Sequence, residues 1–365
     1  MSHYIRSATG TVHQTREGIA VLRYILKRIL QFIPVFLGVT LILFIMQNVV
    51  PGDPIKLIAG EKKLDPVTEM NIRAAHGLIE TNEDGSIVFD ENGDTIETPM
   101  WKRYVVYIAN LFHGDLGTSY KRGIPVTEII AQGYPYTVQL AVVAIVLEAI
   151  LGIGAGIISA IKRYSFWDVL VTLTTSVLVA MPAFWFGMLL QLIFGVWLKD
   201  LTGGAVCLPI SGVAGPGPAF PDWMYYILPA VTLAAVSTAY SARIMRSQLI
   251  EVMNQDYIRT AKAKGLSRGS IIFHHALKNA LIPVVTYIGM DFGAMLSGAI
   301  LTETVFNWPG IGKETYVAIT QRDWPIVMGS VTVIVFVVMV INLLVDVSYA
   351  FLDPRIRLGN SKSDE

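Results

Sequence analysis

Three carboxylic acids lie in stretches of sequence that are otherwise apolar. They are Glu148, Asp291 and Asp346. An ionised side chain in lipid has a high free-energy cost unless it is paired or hydrated, so each acid is a candidate functional residue. The alternatives for each are an interhelical hydrogen bond or a protonated carboxyl group, and for Asp346 an ion pair with a nearby arginine.

Asp291 is the acid that we expect to line a pathway through the membrane. Gly289, Gly293 and Ser297 give its apolar stretch a small, polar face that favours close packing. Glu148 and Ser297 are further candidates for lining the pathway.

Motifs for catalysis or for metal binding are absent from the sequence. Gly312-Lys313 lacks the upstream glycine and the hydroxyl residue of a phosphate-binding loop. The single cysteine, Cys207, excludes a disulfide within the chain. We therefore expect no catalytic residue and no metal site, and an intramembrane enzyme is disfavoured.

The composition indicates a membrane protein. Hydrophobic residues make up 53% of the 365 residues and charged residues 15%, compared with about 25% charged residues in soluble domains. The net charge of zero argues against a nucleic-acid partner. Six apolar stretches are long enough for helices that cross a bilayer, and they predict an all-α polytopic protein: 24–50, 136–161, 169–198, 226–245, 281–301 and 326–352.

The distribution of charge predicts the orientation. The loop 246–280 is rich in lysine and arginine, and such loops stay in the cytoplasm. Both termini, 1–23 and 353–365, are then cytoplasmic, whereas the acidic segment 51–135 is outside. An Asp65-Pro66 helix start and an Asn92-Gly93 type I′ hairpin predict a small α+β subdomain there. The role of the acidic insert at about 80–98 is left open.

The outer loop 302–325 contains aromatic residues next to a Pro-Gly turn. Phe306, Asn307 and Trp308 are its candidate outer gate or contact with a binding protein. The alternative is an aromatic belt at the membrane interface.

The cytoplasmic loop predicts two short helices joined at a glycine. Asp256 is placed to cap a helix over 257–264, Gly265 to end it with a positive φ, and Ser267 to cap the next helix. Such a loop would be a stiff, basic projection from the membrane.

This loop closely resembles the signature loop of ABC-importer permeases. The matching residues read DYIRTAKAKGL at 256–266 and HALKNALIP at 275–283. Arg259, Thr260 and Ala261 replace the general Glu-Ala-Ala triplet, as is typical of the dipeptide, oligopeptide and nickel family. GDLGTS at 114–119, MPAFW at 181–185 and VFNWPGIG at 305–312 resemble further blocks of that family, in order.

The resemblance implies a type I ABC importer permease of the B type in a bacterial cell membrane. Its partners would be a second, C-type permease, two ATPase subunits that bind ATP and Mg²⁺, and an extracytoplasmic peptide-binding protein. This chain would hold no cofactor. The residues that couple it to the ATPases would be Asp256, Tyr257, Arg259, Thr260, Ala261, Lys264, Gly265 and Leu266.

Two alternatives stay open. Nickel complexes or glutathione would be substrates of the same kind of permease. An ion-coupled secondary transporter that uses Asp291 or Glu148 is a different class, but it usually has ten or more spans in inverted repeats.

Overall fold

The structure is a computed structural model that describes residues 2–49, 64–82, 84–215, 220–297 and 299–352. Helices dominate these residues. In chain order they are α1 (Ser2–Val49), α2 (Pro66–Ala75), α3 (Met100–Phe112), α4 (Val126–Ile161), α5 (Phe166–Ala180), α6 (Ala183–Leu201), α7 (Met224–Val252), α8 (Asp256–Ala263), α9 (Arg268–Leu296), α10 (Ile300–Val305), α11 (Ile311–Gln321) and α12 (Trp324–Leu352). Single π-helical segments interrupt α6 at Ile193–Trp197 and α9 at Ile271–Ala276.

Six of the described helices are long and apolar enough to cross a membrane. They are Ile25–Val49 within α1, α4, α6, α7, α9 and Trp324–Ser348 within α12. This confirms the predicted number of spans and the all-α class. The basic loop is shorter than predicted, because α7 continues to Val252 and α9 begins at Arg268.

The third predicted span, 169–198, is not one continuous helix. α5 ends at Ala180, and Met181 has extended backbone angles of φ −89° and ψ 135°. Pro182 follows and precedes α6. A proline disfavours helical angles in the residue before it and cannot donate a backbone hydrogen bond, which accounts for the break.

The described residues form two compact units. One contains the residues up to Ile33, Pro135–Lys313 and the residues from Ile334 onward; the other contains Pro34–Tyr134 and Glu314–Val333. In the first unit, α7 contacts α5, α6, α9 and α10, and its buried face is built largely from small residues such as Ala234, Ser237 and Ala242.

Two glycines allow α4 to approach α7 closely. A Cβ atom at Gly152 would lie 2.7 Å from the Ser241 Cβ, and one at Gly156 would lie 2.6 Å from the Ala242 carbonyl oxygen. Gly154 faces open space. Gly152 and Gly156 are four residues apart and share one helix face, which is the arrangement that brings membrane helices together.

In the second unit, a buried aspartate holds the segment before α4. The Asp323 side chain is 1% exposed. Its Oδ2 accepts a hydrogen bond of 2.5 Å from the Ser119 hydroxyl, and its Oδ1 accepts one of 3.1 Å from the Tyr120 N–H. These bonds fix the backbone at Ser119 and Tyr120.

The segment between α1 and α4 confirms only part of its prediction. Asp65 caps α2 by accepting the N–H groups of Val67 and Thr68 at 3.1 and 2.9 Å. The described part of the segment contains isolated antiparallel bridges, such as Phe89 to Thr95, in place of regular strands. The expected α+β subdomain is therefore not confirmed.

The predicted type I′ turn is wrong. Gly93 has a φ of +84°, but Asn92 has no positive φ. The Asp90 side chain accepts the N–H groups of Asn92 and Asp94 at 2.9 and 2.8 Å, which favours a type I turn followed by glycine.

The contact between α4 and α7 predicts different effects on stability for alanine substitutions at two nearby glycines. We expect Gly156→Ala to lower the free energy of unfolding by about 1–3 kcal/mol, because the new methyl group overlaps backbone atoms of α7. Gly154→Ala should be neutral or slightly stabilising, since alanine favours helix more than glycine does. Thermal unfolding of the two purified variants in one detergent measures the difference. Equal midpoints would contradict the close packing at Gly156.

Candidate functional site

The basic loop contains one short helix, α8, that is anchored by a small buried face. Ile258 is 0% and Ala261 7% exposed, and they pack with Met245 of α7 and with Ile271 and Ala276 of α9. Ile258 was not among the predicted coupling residues, although its spacing of three from Ala261 marks a helix face. The loop is therefore attached to both flanking spans.

The ends of α8 differ in part from the prediction. Gln255, not Asp256, precedes the helix with extended angles, and it makes no side-chain cap. Asp256 is the first helical residue and forms an exposed ion pair of 3.2 Å with Arg259. Gly265 has a φ of +79° and Ser267 accepts the Ser270 N–H, as predicted.

Most of the predicted coupling residues lie on the surface of this loop. Seven of the eight are exposed, namely Asp256, Tyr257, Arg259, Thr260, Lys264, Gly265 and Leu266. Ala261 is the exception. The Tyr257 hydroxyl accepts a hydrogen bond of 2.8 Å from the Asn279 amide, which joins α8 to α9.

An ion pair near this loop joins three helices, and it was not predicted. Arg246 of α7 donates two hydrogen bonds, of 2.8 and 2.9 Å, to the carboxylate of Asp168 on α5. The hydroxyl of Ser159 on α4 also donates to Asp168, and so does the Tyr164 N–H, at 2.9 Å. A bidentate pair of this kind is specific in its geometry. The available signal was an acid at the start of one apolar stretch and an arginine at the end of another.

Two of the predicted pathway residues come together between the spans. Glu148 on α4 is 0% exposed and accepts a hydrogen bond from the Ser241 hydroxyl on α7. Its carboxyl group also interacts with that of Asp291 on α9. Among the described residues, Glu148 Oε2 and Asp291 Oδ2 are buried without a hydrogen-bond donor.

The small face of α9 is separate from Asp291. A Cβ atom at Gly289 would lie 2.9 Å from Val345, and one at Gly293 would lie 3.2 Å from Ile341, both on α12. Positions two residues apart point to nearly opposite sides of a helix. Asp291 therefore does not share the face formed by Gly289 and Gly293. Ser297 follows the end of α9, and its hydroxyl donates a hydrogen bond of 2.6 Å to the Ala294 carbonyl.

Asp346 forms the ion pair that was suggested for it. Its Oδ2 lies 2.6 Å from both the Nε and an Nη atom of Arg28. This pair satisfies the charge of Asp346, so the acid has a structural explanation.

The outer loop is stabilised by a buried carboxylate. Glu303 is 0% exposed. Its Oε1 accepts a hydrogen bond of 2.7 Å from the Thr137 hydroxyl. Its Oε2 accepts a hydrogen bond of 2.9 Å from the Lys313 N–H, at the start of α11. A Cβ atom at Gly310 would lie 2.4 Å from the Glu303 carboxyl carbon, so any other residue there would displace this carboxylate. Burial raises the pKa of Glu303, and the hydrogen bonds from Lys313, Thr137 and Gly312 oppose that change.

The predicted gate residues occupy different environments. Asn307 is exposed and has a φ of +51°. Its side-chain oxygen accepts a hydrogen bond of 2.6 Å from Lys313 Nζ. Phe306 and Trp308 are 1% and 0% exposed, and the Trp308 indole donates to the Tyr136 carbonyl at 3.0 Å. In this conformation the two aromatic residues have no surface for contact with a binding protein.

The family model of the binding-protein-dependent transport system inner membrane component matches residues 152–358. The chain belongs to this family. The matched residues include the basic loop, Asp168, Arg246, Asp291 and Glu303. Membership confirms the resemblance found in the loop sequence and makes the chain a multi-pass membrane component of a transport system.

Relatives of this permease family match nearly the full chain. The dipeptide transport system permease protein DppB of Escherichia coli K12 is 37% identical over 354 residues, covering 92% of this chain and 99% of that protein. The di/tripeptide transport system permease protein DppB of Pseudomonas aeruginosa is 36% identical over 351 residues, with coverage of 92% and 99%. The glutathione transport system permease protein GsiC of Escherichia coli O6:H1 is 36% identical over 338 residues, with the same coverage.

The Asp168 ion pair gives a prediction for stability. We expect Asp168→Asn to lower the free energy of unfolding by about 2 kcal/mol, because Arg246 loses its counter-charge while remaining partly buried. The matched control is Asp200→Asn, since Asp200 is exposed and should change stability little. Thermal unfolding in detergent measures both, and an equal effect of the two variants would contradict the structural role of the pair.

Proposed function

We propose that this chain is the membrane-spanning permease subunit of an ATP-driven importer of dipeptides and other short peptides. The observation that carries the proposal is the 37% identity to a dipeptide permease across 92% of this chain and 99% of that protein. In the proposed importer a binding protein delivers peptide from outside, a second permease completes the pathway, and two ATPase subunits supply the energy. This chain contributes no catalytic residue and no cofactor.

The basic loop is the proposed docking site for an ATPase subunit. Its surface presents Tyr257, Arg259 and Leu266, with Leu266 40% exposed. Its underside packs on both α7 and α9. A rigid element attached to two spans passes a displacement to both of them, which is how domain closure switches a helical bundle.

Charge supports the proposed orientation. The loop and its neighbours carry Arg246, Arg259, Lys262, Lys264 and Arg268, and an excess of basic residues is typical of cytoplasmic loops. An even number of spans then puts both termini on the same, cytoplasmic side.

Asp291 is the stronger of the two acids as a pathway residue. Asp291 is partly exposed in this chain, whereas Glu148 is 0% exposed and bonded to Ser241. We assign to Asp291 an electrostatic attraction for the ammonium group of a peptide, and to Glu148 a supporting role behind it. Phe306, Asn307 and Trp308 remain a proposed gate that opens only if the outer loop moves.

Glutathione is the one specific alternative to a dipeptide as the substrate. The relative named as a glutathione permease is 36% identical, nearly as similar as the dipeptide permeases. Glutathione is itself a short peptide, so the transported class is shared. A secondary transporter is disfavoured by the number of long helices and by the family.

The assembly tests the function directly. Tagged protein purified in mild detergent should retain a second permease and two ATPase subunits, identified by mass spectrometry. Vesicles that contain the full assembly and the binding protein should take up dipeptide only with ATP. Uptake without ATP by this chain alone would contradict the proposal.

Leu266→Asp tests the docking surface. We expect it to reduce the amount of co-purified ATPase by about tenfold or more and to abolish ATP-driven uptake, because a desolvated charge replaces an apolar contact. The second permease should still co-purify. Phe112→Asp is the control, since Phe112 is an exposed apolar residue outside both the loop and the six long apolar helices, and it should leave the ATPases bound. Normal ATPase recovery with Leu266→Asp and with Arg259→Glu would place the docking site elsewhere.

A further inference from the structure

The second unit contains a cleft that the proposed transport mechanism does not use. Its volume is about 400 Å³, which is within the range of small-molecule sites. The lining residues come from the end of α1, from α3, from the segments 76–81 and 115–120 and from the start of α12. All of them belong to the unit formed by Pro34–Tyr134 and Glu314–Val333.

Aromatic rings form the walls of the cleft and are held in place. The Phe44 and Tyr107 ring centroids are 6.3 Å apart, and His76 meets Tyr120 edge-on at 5.3 Å. The Tyr120 hydroxyl accepts a hydrogen bond of 3.2 Å from Gln47. The Tyr107 hydroxyl is 3.1 Å from that of Thr332. A site with fixed walls loses little entropy when a ligand binds.

Arg103 is the distinctive charged residue of the cleft. Its guanidinium carbon lies 5.8 Å from the Phe44 ring centroid, and the side chain is partly buried. Within the described part of the chain, the guanidinium makes no hydrogen bond and no ion pair. Burial lowers its pKa, but a guanidinium remains protonated at neutral pH.

Unlike Arg103, neighbouring basic residues form ion pairs. Lys102 lies 3.0 Å from Glu80, and Arg122 lies 2.6 Å from Glu314. Glu97 influences Arg103 electrostatically, but the two do not form an ion pair. A partly desolvated arginine without a counter-ion is costly, and its planar fork of donors matches a carboxylate.

We propose that this cleft binds a short peptide, with Arg103 holding the C-terminal carboxylate and the aromatic rings contacting an apolar side chain. The inference rests on the proposed function for the choice of a peptide. Asp115 also lines the cleft, and its negative charge attracts the peptide's ammonium group. The permease then has a peptide site of its own outside the membrane-spanning helices.

Binding to the full-length protein in lipid nanodiscs, without the binding protein, tests the site. The probe is the dipeptide Ala-Phe, titrated by calorimetry, and the comparison ligand is Ala-Phe amide, which lacks the carboxylate. We expect the amide to bind at least about tenfold more weakly, because it loses the charge-assisted pair. Arg103→Gln should weaken Ala-Phe binding to the same extent and leave binding of the amide unchanged. Arg103→Lys should retain part of the affinity.

The control is Arg73→Gln, which removes an arginine from the same unit. Arg73 pairs with Glu69 at 2.9 Å within α2, so this variant should bind Ala-Phe normally. Thermal midpoints of all variants show whether they are folded, and Arg103→Lys provides a second reading if Arg103→Gln is unstable. Equal binding of the acid and the amide, or unchanged binding by both Arg103 variants, would overturn the inference.

A parallel uptake assay separates this inference from the proposed function. The wild-type assembly could show ATP-driven uptake of Ala-Phe while binding does not depend on Arg103. That result overturns only the proposed peptide site in the cleft. Failure of the complete wild-type assembly to import any peptide overturns the proposed function. Docking of the binding protein that depends on Arg103, without binding of free Ala-Phe, assigns the carboxylate to a protein partner and also overturns the inference.

Discussion

The close approach of α4 to α7 at Gly152 and Gly156 determines how the polar groups of the spans meet. Glu148, Gly152 and Gly156 follow one another at intervals of four residues, so they lie on one face of α4. Opposite them on α7 lie Ser241 and Met245, with Arg246 next. Because the glycines carry no side chain, Ser241 reaches Glu148 at one point, and Arg246 reaches Ser159 and Asp168 further along. One packing contact thus positions both an acid cluster and an ion pair.

The ion pair and the acid cluster differ in how completely their carboxylate oxygens are hydrogen-bonded. Asp168 receives donors from Arg246, Ser159 and Tyr164, so both of its oxygens are paired. Glu148 and Asp291 each retain a buried oxygen without a donor among the described residues. A fully paired network is rigid, whereas a partly paired one has a free-energy cost that a change of packing can relieve. The ion pair therefore suits a fixed joint between helices, and the acid cluster suits a part of the bundle that would rearrange in the proposed transport cycle.

The sequence predicted the spans because a bilayer requires about 20 apolar residues per helix, which hydropathy detects. It did not predict the break at Met181-Pro182, since prolines such as Pro135 and Pro229 lie inside continuous helices here. Tertiary contacts decide between these outcomes. Aromatic residues raised a similar ambiguity: Trp308 is buried, yet the sequence fits an interfacial belt equally well. The Asp168–Arg246 pair depends on residues 78 positions apart, which local patterns do not connect.

The proposed coupling follows from the position of α8 between two spans. Ile258 and Ala261 pack against α7 and α9 together, and the same two helices carry Ser241 and Asp291 further along. Ala276 and Asp291 are 15 residues apart in sequence, a distance of roughly 22 Å along a helix. Helices of this length transmit displacement with little compression, so a push on the exposed face of α8 shifts the helix positions that hold the acid cluster. The buried face of α8 is therefore as important to coupling as the exposed residues that a partner would touch.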